Sequence, residues 1–193
     1  MLVLASASPR RQELLRNAGI DFISHPVSIR EAPQPGEPPQ ALAERLAREK
    51  ALAVGEPALG NFVLGADTVV VVDGQILGKP RDPDDAVRML RLLAGRSHRV
   101  ITGVCLKSPQ SKRREGSPAD VRSETTLVTM DGLTDAEILA YVATGEPMDK
   151  AGAYAIQGMA SRWIPSIEGD YFNVVGLPVS LVWRMLREHH YRP

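Results

Sequence analysis

The chain has 193 residues, and its 23 Lys and Arg balance its 23 Asp and Glu, so no overall positive field is available to hold a nucleic acid or an anionic membrane. An apolar fraction of 44% and a charged fraction of 24% are typical of an ordinary globular protein. The single cysteine, Cys105, excludes an internal disulfide and a cysteine-based zinc site. No signal peptide or membrane span is recognisable. We therefore expect one cytoplasmic domain over residues 1–193 that binds neither nucleic acid nor membrane.

Strands and helices alternate in the first third of the chain. Residues 1–6 predict a short buried strand. Ser8 then offers a helix N-cap, a proline follows it, and Gly19 marks the stop of the helix. After a proline-rich connection, residues 41–54 predict a helix whose apolar positions share one face. These positions are Leu42, Ala43, Leu46 and Ala47.

The middle of the chain predicts a hairpin, a helix and a strand. The hairpin covers residues 62–78, with Asp73 and Gly74 as its two-residue turn. The helix over residues 82–95 begins at an acidic N-cap and ends at a glycine. Residues 98–107 predict the strand that follows.

The last third predicts three more strands and two helices. Residues 123–133 predict a strand, and residues 134–145 predict a helix that opens with a capping box. Residues 151–164 and 168–176 are interpreted as further strands, and residues 178–190 as a closing amphipathic helix. Because strands and helices interleave but hairpins also occur, the predicted fold class is α/β with a mixed sheet.

Asp67 is a charged residue inside an apolar run. It interrupts "FVLGADTVVVV", where a strand buries most of its side chains. An unpaired buried carboxylate is costly, so it persists by pairing, by metal coordination or with a raised pKa. The alternative is an acid at a strand bend beside Gly65 that accepts from a backbone amide. The pattern favours a functional role for Asp67.

Lys50 breaks the pattern of its helix in a similar way. It lies four residues after Leu46 and three after Ala47, so helical spacing places it on the apolar face. The alternative is a lysine that snorkels at the rim of that face. The spacing does not decide between the two.

Three further cationic side chains lie at positions that suit the binding of a phosphate. Arg10 and Arg11 stand at a helix N-terminus, whose partial positive charge favours anions, although two solvated arginines would show the same pattern. Lys79 lies in "GKPRD", which fails as a P-loop because the spacing is one residue short and Pro80 replaces Ser or Thr. Lys79 is then a point charge at a tight turn, available to a phosphate.

The combination of four cations with Asp67 and a loop acid, Glu31, suits a polyphosphate held by bases, with carboxylates that hold Mg²⁺ and activate water. The histidines supply no constellation, since His25 and His98 are isolated. This argues against a histidine-rich zinc site and a Ser-His-Asp triad. The residues alone predict metal-dependent chemistry on a phosphorylated small molecule and do not identify its base.

Six ordered blocks resemble the Maf family of nucleoside triphosphate pyrophosphatases: "LASASPRRQELL", "GADTVV", "GKPRD", "HRVITGV", "DKAGAYAIQG" and "NVVGLP". The resemblance covers nearly the whole chain. It implies a fold similar to that of inosine triphosphatases, with a twisted mixed β-sheet flanked by helices, two lobes around a cleft and commonly a homodimer. It also implies hydrolysis of a nucleoside triphosphate between the α and β phosphates, which gives a monophosphate and pyrophosphate.

The resemblance also implies roles for individual residues. Asp67 matches the catalytic general base, and Glu31 with Asp67 matches the acids associated with a divalent metal, Mg²⁺ or alternatively Mn²⁺. The positions that match phosphate-binding residues are Ser6, Arg11, Lys50 and Lys79. The positions that match residues setting which base is accepted are Arg10, Thr68 and Gln157.

Gln157 indicates the substrate within that family. The segment "DKAGAYAIQG" is similar to the branch that acts on dTTP and UTP, and a glutamine amide offers both a donor and an acceptor to the imide edge of thymine or uracil. The resemblance thus implies house-cleaning of the nucleotide pool. The alternatives are the sister branch, which hydrolyses 7-methyl-GTP, and a nucleotide-binding regulator of septum formation.

Overall fold

The computed structural model describes residues 1–55, 60–109 and 119–192. The strands and α-helices in this part of the chain are, in order, β1 (Leu2–Leu4), α1 (Pro9–Asn17), β2 (Phe22–Ser24), α2 (Pro39–Leu52), β3 (Phe62–Val72), β4 (Gln75–Leu77), α3 (Pro83–Leu93), β5 (Ser97–Lys107), β6 (Asp120–Thr129), α4 (Asp135–Ala143), β7 (Ser166–Glu168), α5 (Tyr171–Val175) and α6 (Val179–Glu188). Short 3₁₀-helices cover Glu146–Asp149, Ala151–Ala153 and Met159–Trp163. Within the described ranges, every helix is too short or too polar to cross a lipid bilayer.

The strands form one mixed sheet, which confirms the predicted α/β class. Its order is β2-β1-β3-β5-β6-β7, and β4 pairs with β3 off this path. Strand β1 is parallel to both neighbours, with Leu2 in register with Phe22 and Phe62. Strand β4 is antiparallel to β3, and β7 is antiparallel to β6. Parallel and antiparallel pairs therefore coexist in the sheet.

The local signals of the sequence produce the expected turns and caps. Ser8 caps α1, because its Oγ accepts from the backbone N–H of Arg11 at 3.4 Å. The capping box that opens α4 is formed as predicted. Asp73 and Gly74 have φ angles of 48° and 79°, the positive pair that a two-residue hairpin turn between right-twisted strands requires. These elements are confirmed.

The strands predicted over residues 151–164 and 168–176 are wrong. Gly152 and Ala153 have φ angles of 70° and 60°, so the backbone turns where a strand would extend, and 3₁₀-helices form at Ala151–Ala153 and Met159–Trp163. In the second segment, the carboxylate of Asp170 accepts from the N–H of Phe172 at 2.7 Å. This N-cap-like contact starts a helix, and only Ser166–Glu168 is a strand.

The chain divides into two compact units, and the first contains Met1–Asp67, Thr102–Glu124 and Gly176–Pro193. Its core is a layer of small and branched apolar side chains from strands β1, β3 and β5 and helix α2. These residues are Val3, Ala5, Ala47, Ala51, Val54, Val63 and Cys105. Because the side chains between helix and strands are small, α2 lies close to the sheet.

The second unit contains Thr68–Ile101 and Thr125–Val175. Helices α3 and α4 pack against each other, and α3 also packs against the 3₁₀ turn at Ala151–Ala153. The interior contains fully buried residues of both helices, among them Leu90, Leu93, Ile138 and Tyr141. Tyr141 is the only one of these four with a polar group, and its hydroxyl is hydrogen-bonded at 2.7 Å to Glu146.

Candidate active site

The N-terminus of α1 concentrates positive charge in the first unit. Its first turn contains no acid, and Arg10 and Arg11 add two cations to the positive end of the helix. Arg10 and Arg11 are both half-buried. A helix N-terminus with two guanidinium groups suits an anion better than it suits solvent alone.

Ser6 and Arg11 are held together beneath this terminus. Ser6 is buried two residues after the end of β1, and its Oγ accepts from the backbone N–H of Ser8 at 3.1 Å and from Nη1 of Arg11 at 3.4 Å. The Nε of Arg11 donates to the carbonyl of Gly176 at 2.8 Å. Burial lowers the pKa of Arg11, and the carboxylates of Asp67 and Glu31 act in the opposite direction, so the guanidinium stays charged.

Lys50 lies between two carboxylates. Its Nζ is 2.6 Å from Oδ1 of Asp67 and 2.6 Å from Oε1 of Glu31, so the two carboxylate oxygens lie no more than twice that distance apart. The side chains of Lys50 and Asp67 are each 10% exposed, whereas that of Glu31 is 45% exposed. Lys50 is therefore a buried cation on the apolar face of α2 and not a snorkelling one.

The surroundings of Asp67 tune its acidity. Burial raises the pKa of Asp67 above its usual range, while the cations of Lys50 and Arg11 act against that rise and Glu31 reinforces it. A carboxylate with a raised pKa is a better proton acceptor than a solvated one, and the Lys50 ammonium favours its charged form. The Lys50 ammonium pairs with the Asp67 carboxylate, and this ion pair offsets the cost of a charge within the apolar run.

Two strand glycines bring α2 close enough for this contact, and sequence reasoning missed their role. A Cβ added at Gly65 would lie 2.1 Å from the carbonyl oxygen of Ala47, and one at Gly103 would lie 2.3 Å from that of Ala43. Real Cβ atoms do not approach so closely, so the helix rests on bare strand backbone. The signal was present, since a glycine inside a strand often marks a close backbone approach.

The carboxylates of Glu31 and Asp67 fit a hard divalent cation that arrives with a phosphate. Both are oxygen donors, and Mg²⁺ is commonly held by one or two carboxylates together with substrate oxygens and water. Over residues 1–55, 60–109 and 119–192, no group of three or more His, Cys, Asp or Glu side chains is placed to hold a metal ion. Glu31 and Asp67 are the two predicted carboxylates that could hold such a cation together with substrate oxygens.

The other three predicted site residues lie in the second unit. Thr68, half-buried, follows Asp67 directly on β3. Lys79 is exposed after β4, where the adjacent Gly78 carbonyl accepts from the N–H of Gly152 at 3.0 Å. Gln157 is exposed in a turn, not a strand. The structure thus brings Ser6, Arg10, Arg11, Glu31, Lys50 and Asp67 together in the first unit, and places the other three in the second.

Comparison with known proteins gives one consistent result. The family model described as "Maf-like protein" matches residues 1–189. A protein named "dTTP/UTP pyrophosphatase" from Koribacter versatilis (strain Ellin345) is 54% identical over 186 residues, which cover 96% of this chain and 93% of that protein. Proteins with the same name from Syntrophomonas wolfei subsp. wolfei and Symbiobacterium thermophilum are 51% and 50% identical, over 95% and 98% of this chain and 94% of each relative.

A solved structure also aligns with the chain. It is "The structure of the Staphylococcus aureus Ham1 protein", which matches with a TM-score of 0.47 and 14% identity over 97% of this chain and 98% of that chain. A likeness this remote does not bear on function.

Proposed function

This chain belongs to the Maf-like protein family, and from that membership we propose that it is a pyrophosphatase that converts dTTP and UTP to the monophosphate and pyrophosphate. The observation that carries the proposal is that relatives about half identical to it over nearly their full length have the name dTTP/UTP pyrophosphatase. The buried cluster around Lys50 and Asp67 supplies a chemical rationale. A substrate in the nucleotide pool also favours the cytoplasmic location.

Asp67 acts as the general base. It accepts a proton from the water whose oxygen attacks the α-phosphorus, while the bond between that phosphorus and the bridging oxygen to the β-phosphorus breaks and pyrophosphate leaves. Burial moves the pKa of Asp67 upward, towards neutral pH, and a general base works best when its pKa lies near the operating pH. Lys50, within 2.6 Å of the carboxylate, holds its orientation before the substrate arrives.

The cations bind the triphosphate chain. Ser6 and Arg11 are already hydrogen-bonded to each other at the α1 terminus, so a phosphate meets donors that need little rearrangement. Lys50 and Lys79 add point charges for the remaining oxygens. Glu31 and Asp67 would hold Mg²⁺, or alternatively Mn²⁺, which supplies neutralisation of the charge that develops on the phosphates.

Arg10, Thr68 and Gln157 set which base is accepted. A glutamine amide presents a donor and an acceptor side by side, and the imide edge of uracil or thymine presents the complementary pair. Cytosine presents its donor and acceptor in the opposite order along this edge, so an amide held in the direction that suits uracil pairs with cytosine less well. The homodimer that the family resemblance implies stays a prediction.

The test of this function is hydrolysis of dTTP, UTP, CTP, 7-methyl-GTP and ITP by the purified protein with Mg²⁺, with pyrophosphate and orthophosphate measured separately. Preference for dTTP and UTP with release of pyrophosphate supports the proposal. Hydrolysis of 7-methyl-GTP alone would support the same reaction but would place the protein in the sister branch that acts on 7-methyl-GTP. Tight nucleotide binding without turnover would instead favour the septum regulator.

A further inference from the structure

Gln157 lies in a turn whose two ends are tied to one hydrogen-bonded pair of side chains in the second unit, buried Tyr141 and half-buried Glu146. The turn is closed by the N–H of Gly158, which donates to the carbonyl of Ala155 at 3.0 Å. Gln157 itself is exposed, so its own side chain does not fix the direction in which its amide points. The contacts that hold the turn are made by the residues on either side.

The first end of the turn is held by Tyr141. The backbone N–H of Ala155 donates to the hydroxyl of Tyr141 at 3.1 Å, and that hydroxyl donates to Oε1 of Glu146 at 2.7 Å. Tyr141 is fully buried on α4, and its ring packs edge-on against Trp163 at 5.4 Å. The hydroxyl of Tyr141 therefore both donates and accepts a hydrogen bond, and the packing of its ring restrains its position.

The second end of the turn is held by Glu146. The backbone N–H of Met159 donates to both carboxylate oxygens of Glu146, at 3.1 Å and 3.3 Å. A Cβ at Gly158 would lie 2.2 Å from Oε1 of Glu146, so the turn can rest on the carboxylate only because that residue is glycine. The backbone N–H of Glu146 donates in turn to Oγ1 of Thr144 at 3.2 Å.

We propose that Tyr141 and Glu146 are positioning residues for substrate specificity, because one hydrogen-bonded pair fixes the backbone on both sides of Gln157. The proposal rests on the proposed function, in which the Gln157 amide reads the base. A base-reading amide discriminates only if its direction is fixed before the nucleotide binds, since a free side chain would rotate to suit either a donor or an acceptor. The pair therefore contributes to selectivity and not to the chemical step.

The experiment compares kcat/KM for UTP and CTP in the full-length protein with Mg²⁺. Tyr141→Phe removes the bridging hydroxyl and keeps the ring, and we expect the UTP-over-CTP ratio to fall about tenfold, mainly through a higher KM for UTP. Glu146→Ala should lower the ratio similarly. Glu146→Gln should stay within about threefold of the wild type, because its amide oxygen can still accept from both donors.

A double-variant test separates positioning from a general loss of stability. If the pair acts through Gln157, adding Tyr141→Phe to Gln157→Ala leaves the ratio unchanged within about twofold, because nothing remains to be positioned. Tyr191→Phe is the matched control, since its hydroxyl donates to the Asp21 carbonyl at 3.3 Å in the first unit. This control should retain the wild-type ratio.

Two results would overturn the proposal. One is an unchanged UTP-over-CTP ratio in Tyr141→Phe and Glu146→Ala, which includes an equal loss for both nucleotides. The other is a further tenfold loss of the ratio in the double variant. If Tyr141→Phe does not fold, the comparison of Glu146→Ala with Glu146→Gln decides alone. Failure of the wild type to hydrolyse dTTP or UTP is a different outcome, since it removes the proposed function itself. Selective hydrolysis by the wild type with no effect of the pair removes only this inference.

Discussion

Replacement of Gly65 by alanine should separate the Lys50 ammonium from the Asp67 carboxylate without touching either side chain. The new Cβ would lie 2.1 Å from the Ala47 carbonyl oxygen and 2.8 Å from the Ala51 nitrogen. Ordinary contact needs more than 3 Å, so the helix backbone has to retreat by about 1 Å. The contact between Lys50 and Asp67, now 2.6 Å, would then exceed hydrogen-bonding distance.

The expected cost of that displacement is about 100-fold in kcat/KM for dTTP, the loss typical of a 1 Å misplacement in a catalytic site. Overpacking should also destabilise the protein by about 2 kcal/mol, seen as a melting temperature lower by about 6 °C. Steady-state hydrolysis well below that temperature and thermal unfolding measure the two effects separately. Gly132→Ala is the matched control, because a Cβ there meets nothing within 4 Å. Wild-type kcat/KM in folded Gly65→Ala would refute the reasoning.

Further predictions concern the base, the metal and acid stability. Asp67→Asn should lower kcat at least 100-fold while nucleotide affinity is largely kept. Turnover assays measure the first effect and titration calorimetry the second, and near-normal turnover would contradict the prediction. The acid limb of kcat/KM should lie above the usual range of an aspartate and move to still higher pH in Lys50→Gln, because Lys50 opposes the rise in the Asp67 pKa. Chelation of divalent metal should stop turnover, added Mg²⁺ should restore it, and full activity in chelator would exclude the metal role. Burial lowers the pKa of His98 to about 4, so its unfolded form binds more protons below pH 6.5. The free energy of unfolding should therefore fall between pH 6.5 and 4 by up to about 3 kcal/mol more in the wild type than in His98→Phe. Urea unfolding measured across this pH range tests the prediction, and the same pH dependence in both proteins would contradict it.

The parts of the fold that the sequence predicts well are those governed by contacts a few residues apart. The Ser8 cap and the Asp73-Gly74 turn depend on neighbours in the chain, and both are confirmed. Helical spacing also places Lys50 on the apolar face of α2, but only the structure shows that its side chain is buried there and does not snorkel. The segment over residues 151–164 is different, since its apolar content suits a strand but its backbone turns at Gly152 and Ala153.

The parts of the site that the sequence does not predict are contacts between distant segments. Glu31 lies in an irregular connection without periodicity, so no pattern indicates that its carboxylate meets Lys50. In the sequence, Gly65 only interrupts the apolar run of β3, and its role becomes clear from the close contact with α2. The link from Tyr141 through Glu146 to the Gln157 turn joins residues of three separate local elements. Residue types indicated phosphate chemistry, but tertiary structure was needed to identify these contacts.

The measurement that tests the account most directly is hydrolysis of dTTP in ¹⁸O-enriched water, with mass analysis of both products. If Asp67 activates a water that attacks the α-phosphorus, the heavy oxygen enters dTMP and is absent from pyrophosphate. Label found in pyrophosphate would show attack at the β-phosphorus, and label in orthophosphate would show attack at the γ-phosphorus. Either result would contradict the proposed reaction, whatever the nucleotide preference.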